Sequence, residues 1–147
     1  MGLPVKKKPT IIRIQDIDAL ARTIYGEARG EDDAGKHAVG RVIVNRWRSN
    51  KWFAGDTIEA TAMMPWQFSC WLRGDPNREK LLNVTYADKL LCKCMEAAAA
   101  AIYSAPHLWL TDDVFHYYSD TIRTPDWAEG KTPAGRLGHH VFFAGID

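Results

Sequence analysis

The run Ile24-Tyr25-Gly26-Glu27-Ala28-Arg29-Gly30-Glu31 closes a longer segment with helical periodicity. Working back from it, apolar residues fall at Ile14, Ile17, Leu20, Ala21, Ile24, Tyr25 and Ala28. That spacing puts one apolar stripe on a helix. Asp16 and Asp18 stand at its start, where negative charge favours the helix dipole, and Gly26 and Gly30 weaken its end. On a wheel advancing about 100° per residue, the apolar face centres near Ile24 and Ala28. Glu27 falls at the margin of that face, beside Leu20. A carboxyl there is partly desolvated, which disfavours the charged form and raises the pKa. A general acid working near neutral pH needs that. Glu31 would fall near the same face if the helix continued. An acidic residue beside Arg29 at a helix end is also the ordinary pattern of a solvated surface charge. Spacing alone leaves these readings open.

Further along, Asp32 and Asp33 can each cap a second helix, which carries Ala38, Val39, Val42, Ile43 and Trp47 on one face. Asn45 lies on the same side and reads as a hydrogen-bonding tie to a buried loop. A short helix is expected near Asp56 to Met63. Pro65 to about Val84 reads as irregular, with Pro76 inside it. A third long helix is expected from about Tyr86 to Ser104, its alanine run Ala97 to Ala101 permitting close packing and Pro106 ending it. Val114 to Ser119 and Val141 to Phe143 are aromatic and β-prone and can pair as a hairpin or edge. The reading is mainly helical α+β, a single domain over residues 14–147 with a small β segment near the C-terminus. Residues 1–13 read as a flexible basic lead containing Lys6, Lys7 and Lys8, either a solvated tail or an arm for an anionic envelope.

At 147 residues with 46% apolar residues and six tryptophans, one domain can bury a core without disulfides or a structural metal. The net charge of +1 argues against a dedicated nucleic-acid binder. No stretch reaches membrane-spanning length, and no apolar run follows the lysines as a secretory signal would. Three cysteines, Cys70, Cys92 and Cys94, lack framework spacing and read as reduced thiols of a chain made in a cytoplasm.

The run Leu20 to Glu31, then Gly35, then Ala38-Val39-Gly40-Arg41-Val42-Ile43-Val44-Asn45-Arg46, resembles the SleB-type cell wall hydrolases, which are spore cortex-lytic enzymes and their phage relatives. Pro65-Trp66-Gln67-Phe68-Ser69 is similar to that family's glutamine-phenylalanine-serine segment. His116-Tyr117-Tyr118, Pro125-Asp126-Trp127-Ala128 and Gly138-His139-His140-Val141-Phe142-Phe143 are similar to its C-terminal blocks. The blocks follow in family order. The resemblance implies a lysozyme-like fold related to lytic transglycosylases, with Glu27 as the catalytic glutamate. It implies peptidoglycan as the partner, cleaved in its glycan strand. Aromatic Trp66, Phe68, Tyr117, Tyr118 and Trp127 can present apolar faces to sugar rings, while Gln67, Ser69 and His116 can hydrogen-bond hydroxyl or N-acetyl groups. Each aromatic taken singly is as readily a core residue.

Cutting the β-1,4 bond after N-acetylmuramic acid needs a proton on the leaving oxygen, and a two-acid hydrolase needs a second carboxylate about 5–10 Å away. Asp120, Asp126, Glu129 and Glu31 are candidates for that role. A lytic transglycosylase needs none, because the muramic 6-hydroxyl attacks instead. No cofactor and no metal are expected. A zinc-dependent amidase would need about three ligands. His37, His107, His116, the His139–His140 pair and Cys92/Cys94 form no such pattern. A non-catalytic glycan-binding module would keep the aromatics and dispense with Glu27. Unlike the spore enzymes, the sequence shows no signal peptide and no separate wall-binding domain. The expectation is therefore a monomeric endolysin-like protein, made in the host cytoplasm and released to the wall by a separate membrane-permeabilising protein.

Overall fold

A computed structural model describes residues 11–104 and 107–147. The lysine-rich stretch and Pro106 lie outside the described residues. Helices α1 (Ile14–Ala28), α2 (Asp33–Arg48), α3 (Ile58–Ala62), α4 (Pro76–Asn83) and α5 (Lys89–Tyr103) precede strands β1 (Val114–Ser119), β2 (Gly135–Leu137) and β3 (His140–Ala144). The mainly helical α+β expectation holds, and α1 runs over the residues its periodicity marks.

The described fold begins before residue 14. Arg13 closes a capping box with Asp16, whose carboxylate accepts from the Arg13 backbone N–H at 2.9 Å and from the Glu59 N–H at 3.1 Å. Ile12 packs against the core. The start of α1 is thus fastened to α3.

Helix α2 is the centre of the molecule. Asp32 caps it, accepting from Gly35 N–H at 2.8 Å. From Ala38 to Trp47 every residue is buried. A helix buried on all sides must satisfy its polar side chains inside the protein. Arg41 donates to the Ala101 carbonyl, Asn45 to the carbonyls of Thr111 and Val114, and Arg46 to that of Phe115. The tie expected of Asn45 is there. Helices α1 and α5 pack on α2 at close range. A Cβ on Gly40 would stand 2.9 Å from Ile24 Cδ1 and 3.0 Å from Ala101 Cβ, so the α5 alanines serve as a smooth contact surface.

The 65–84 stretch is a correction. It contains a 3-10 turn, Ser69–Trp71, and all of α4. Pro76 starts that helix: it occupies the first turn, where a missing N–H is harmless, and Asp75 caps Asn77 N–H at 2.8 Å. Only Leu81 of α4 is buried, so no apolar period announces the helix. Arg22 fastens its far end by donating to the carbonyls of Leu81 and Val84.

The sheet has order β1-β3-β2 and is antiparallel throughout. Val114 pairs with Ala144 but His116 with Phe143, so β1 carries a bulge at Phe115. An extra residue switches the side on which the following residues emerge. Val114 and Tyr117 therefore both meet the main helical core, with Phe142. Tyr118 joins Trp127, Val141 and Phe143 in a second cluster. Among the described residues no helix is long and apolar enough to cross a membrane.

Candidate active site

A groove of about 710 Å3 runs from the last turn of α1 to the sheet. Glu27 enters it from α1, Arg46 from α2, Trp66 to Ser69 from the loop after α3, and Tyr117 and Tyr118 from β1. Trp127, His139 and His140 complete its sides.

Glu27 is drawn into the wall by a close contact at its neighbour. A Cβ on Gly26 would lie 2.6 Å from Cys70 Cβ and 2.8 Å from Cys70 Sγ, so only glycine lets the 3-10 turn press onto α1 there. That contact covers one side of Glu27, which is half-buried and faces the groove with the rest of its side chain. Burial pushes its pKa up to about 7; a hydrogen bond from the Cys70 thiol opposes the rise and the charge of Asp75 adds to it. Burial pushes the Cys70 thiol far above its ordinary range, so it faces Glu27 as a neutral donor.

Glu31 also reaches the groove, but its carboxylate is committed. It accepts the His139 backbone N–H at 3.1 Å and lies 3.5 Å from His140 Nδ1. It sits where a Cβ on Gly138 would be, 2.3 Å from that position, and Gly138 has φ +54°. The Glu31 carbonyl accepts from Lys36 Nζ. Glu31 thus clamps the β2–β3 turn to the start of α2. Burial lowers the pKa of His140, the nearby Glu31 opposing that shift.

Arg46 is a groove residue that the sequence reading treated only as part of a motif. It is 6% exposed and has no carboxylate partner among the described residues. Its Nε donates to the Phe115 carbonyl in the bulge at 2.7 Å and its Nη1 to Gln67 Oε1 at 3.0 Å. Its guanidinium lies over the rings of Phe53 and Phe68. Burial lowers its pKa to about 10, leaving it charged at neutral pH. An arginine on the buried face of a helix was the available signal.

Of the eight residues expected to meet a glycan, seven line the groove: Trp66, Gln67, Phe68, Ser69, Tyr117, Tyr118 and Trp127. Phe68 is 4% exposed and supports the wall from inside. His116 is the exception and is absent from the lining. Its ring lies against Phe53 and Trp127, its Nδ1 is buried without a partner, and burial holds its pKa near 4. Asp120, Asp126 and Glu129, the candidates for a second acid, do not line the groove. Asp120 is engaged with Arg136 at 2.8 Å and His139 at 3.3 Å. Among the described residues no three His, Cys, Asp or Glu side chains converge as metal ligands.

Known proteins share this architecture. The catalytic domain of the Bacillus cereus SleB protein superposes with a TM-score of 0.72 at 23% identity, covering 97% of this chain and 99% of that one. The catalytic domain of SleB from Bacillus anthracis, a germination-specific lytic transglycosylase, gives 0.69 at 23%, covering 92% and 98%. In sequence, the spore cortex-lytic enzyme of Bacillus subtilis (strain 168) is 27% identical over 128 residues, 86% of this chain and 37% of that protein. The spore cortex-lytic enzyme of Oceanobacillus iheyensis is 26% identical over 148 residues, 96% of this chain and 46% of that protein. The chain spans less than half the length of these two relatives. A cell wall hydrolase family model matches residues 30–143, beginning just after Glu27 and taking in the groove walls from Glu31 to His140. With the lysozyme-like SleB fold and that match over most of its length, the chain belongs to the cell wall hydrolase family.

Proposed function

We propose that this protein acts on the bacterial cell wall by cutting the glycan strand of peptidoglycan between N-acetylmuramic acid and N-acetylglucosamine, with Glu27 as its acid. The observation that carries the proposal is the partly desolvated Glu27 carboxyl, its pKa pushed up to about 7, in the wall of a groove of about 710 Å3 lined with aromatic and polar side chains. A neutral carboxyl can hand its proton to the glycosidic oxygen as the bond breaks. The N-acetylglucosamine leaves as an alcohol and the muramic anomeric carbon becomes oxocarbenium-like. The second acid of a hydrolase would activate water or attack this carbon. Glu31, the other carboxylate in the groove, is committed to the His139 N–H. We therefore favour the lytic transglycosylase route: the muramic 6-hydroxyl attacks its own anomeric carbon, the Glu27 carboxylate takes that hydroxyl proton, and the product is a 1,6-anhydro sugar. Trp66, Gln67, Ser69, Tyr117, Tyr118 and Trp127 are the residues assigned to hold the strand.

Mass spectrometry of digested sacculi tests this directly. Anhydro-muramyl ends, lighter than reducing ends by one water, are the expected product. Reducing muramic ends would make the enzyme a hydrolase. Free stem peptides over intact glycan would replace the proposal with an amidase, and undigested sacculi that retain the protein would replace it with a binding module.

Glu31→Gln separates the two groove carboxylates. Glutamine keeps an oxygen for the His139 N–H, so cleavage should stay within about tenfold of wild type, with the thermal midpoint lowered by a few degrees. Loss of turnover as complete as at Glu27, in a protein that still melts cooperatively, would make Glu31 a second acid.

A further inference from the structure

The Met64–Gln67 turn carries a residue of the wrong kind. Gln67 N–H donates to the Met64 carbonyl at 3.2 Å, Pro65 holds the second position, and Trp66 holds the third with φ +68°. A turn with proline second and positive φ third normally takes glycine there, since a Cβ is strained in the left-handed region. Among the described residues Trp66 alone of the non-glycines has positive φ. Packing does not explain it, because Trp66 is 81% exposed. The chain thus accepts backbone strain and an indole in water at one position. That combination marks a residue held for a ligand.

Trp66 is shared by two cavities. With Phe68 it lines both the Glu27 groove and a second cavity of about 520 Å3, whose other walls include Met63, Leu72 and Arg73. We propose that this second cavity is a distal glycan subsite, occupied by the strand as it leaves the Glu27 groove, with Trp66 as the stacking platform on the saddle between them. The inference rests on the glycan reading of the groove. The substrate is a polymer, so a strand held at Glu27 must leave the groove, and the second cavity shares Trp66 and Phe68 with it. The apolar C–H face of a pyranose suits an indole face, and Arg73 on the far side offers donors to sugar oxygens or N-acetyl carbonyls.

The test is binding, measured by calorimetry in the Glu27→Gln background so that nothing is cleaved. The probes are peptide-free glycan oligomers of alternating N-acetylglucosamine and N-acetylmuramic acid, four and eight sugars long. With Trp66 present the octasaccharide should bind about tenfold tighter than the tetrasaccharide. Trp66→Gly should weaken both oligomers, the octasaccharide by clearly more, so that most of the length gain is lost, while the thermal midpoint holds or rises as the strain is relieved. Met63→Glu, in the second cavity and outside the groove, should weaken the octasaccharide alone. A lowered midpoint with unchanged binding would make Trp66 a packing residue and overturn the proposal. Equal weakening of both oligomers would confine Trp66 to the groove, and an equal gain from a tetrasaccharide bearing stem peptides would give the cavity to peptide; either result overturns it. Absence of length dependence with the tetrasaccharide still bound defeats the distal subsite alone, whereas no binding of either oligomer defeats the glycan reading itself.

Discussion

Glu27→Gln should lose about 10³-fold in glycan cleavage and gain stability at neutral and alkaline pH. The two effects have one cause. Burial raises the Glu27 pKa from 4.5 to about 7 in the folded protein, so the native state binds this proton more tightly than the unfolded chain. Stability is therefore lost as pH rises from about 4.5, where the unfolded carboxyl ionises, through about 7, where the half-buried folded one follows. The full cost is about 3 kcal/mol above that pH. Glutamine never ionises and escapes it. Thermal melts of the two proteins should coincide near pH 4 and diverge by roughly 6–12 °C at pH 8. Wild-type activity should fall about tenfold per pH unit above 7, as the acid form is lost. An unchanged rate in Glu27→Gln would end the assignment. A melting difference independent of pH would mean that Glu27 is solvated and titrates normally.

The helices that the sequence marked are those with an apolar face to bury. α1, α2 and α5 pack through stripes of Leu, Ile, Val and Ala, and such stripes are legible as periodicity. α4 was missed because a single side chain, Leu81, anchors it; its start is written as Asp75-Pro76, which is cap chemistry that reads equally as a break. β2 is three residues long, and what fixes it is distant. Gly135 is required there because the Trp109 ring lies 2.3 Å from where a Cβ would be. No local pattern carries that contact.

The site was legible to the same degree and for the same reason. Periodicity put Glu27 at the edge of a buried face, and the groove is found there. Periodicity could not separate Glu27 from Glu31. Glu31 is committed by the backbone of Gly138 and His139, more than a hundred residues away in sequence. His116 reads with its neighbours as one aromatic block, but its ring is taken up by Phe53 and Trp127, contacts that no local pattern announces. Arg46 lies on the buried face of α2, but its acceptors are neutral, so no acidic partner in the sequence marks it as a groove residue.

Gly26→Ala should have the next largest effect, and it acts on Glu27 without touching it. Alanine in a helix interior ordinarily gains up to about 1 kcal/mol over glycine. Here its methyl would fall 2.6 Å from Cys70 Cβ, 2.8 Å from Cys70 Sγ and 3.0 Å from Leu81 Cδ2. Cys70 Cβ is attached directly to backbone and cannot swing aside, so the Ser69–Trp71 turn must lift from α1. Overpacking of this kind costs about 1–3 kcal/mol, enough to reverse the propensity gain. The lifted turn admits water to Glu27, weakening the desolvation that raises its pKa, and the high-pH limb of activity should move down by a unit or more. Cys70→Gly combined with Gly26→Ala removes the clashing Cβ. The pair should be more stable than the two separate losses predict, by about 1 kcal/mol or more. Its high-pH limb should return to about 7 or above, because the thiol donor that holds the Glu27 pKa down is gone as well. A Gly26→Ala protein with wild-type stability and an unshifted pH profile would show that the Gly26–Cys70 contact does not seal the carboxyl, and desolvation would lose its structural cause.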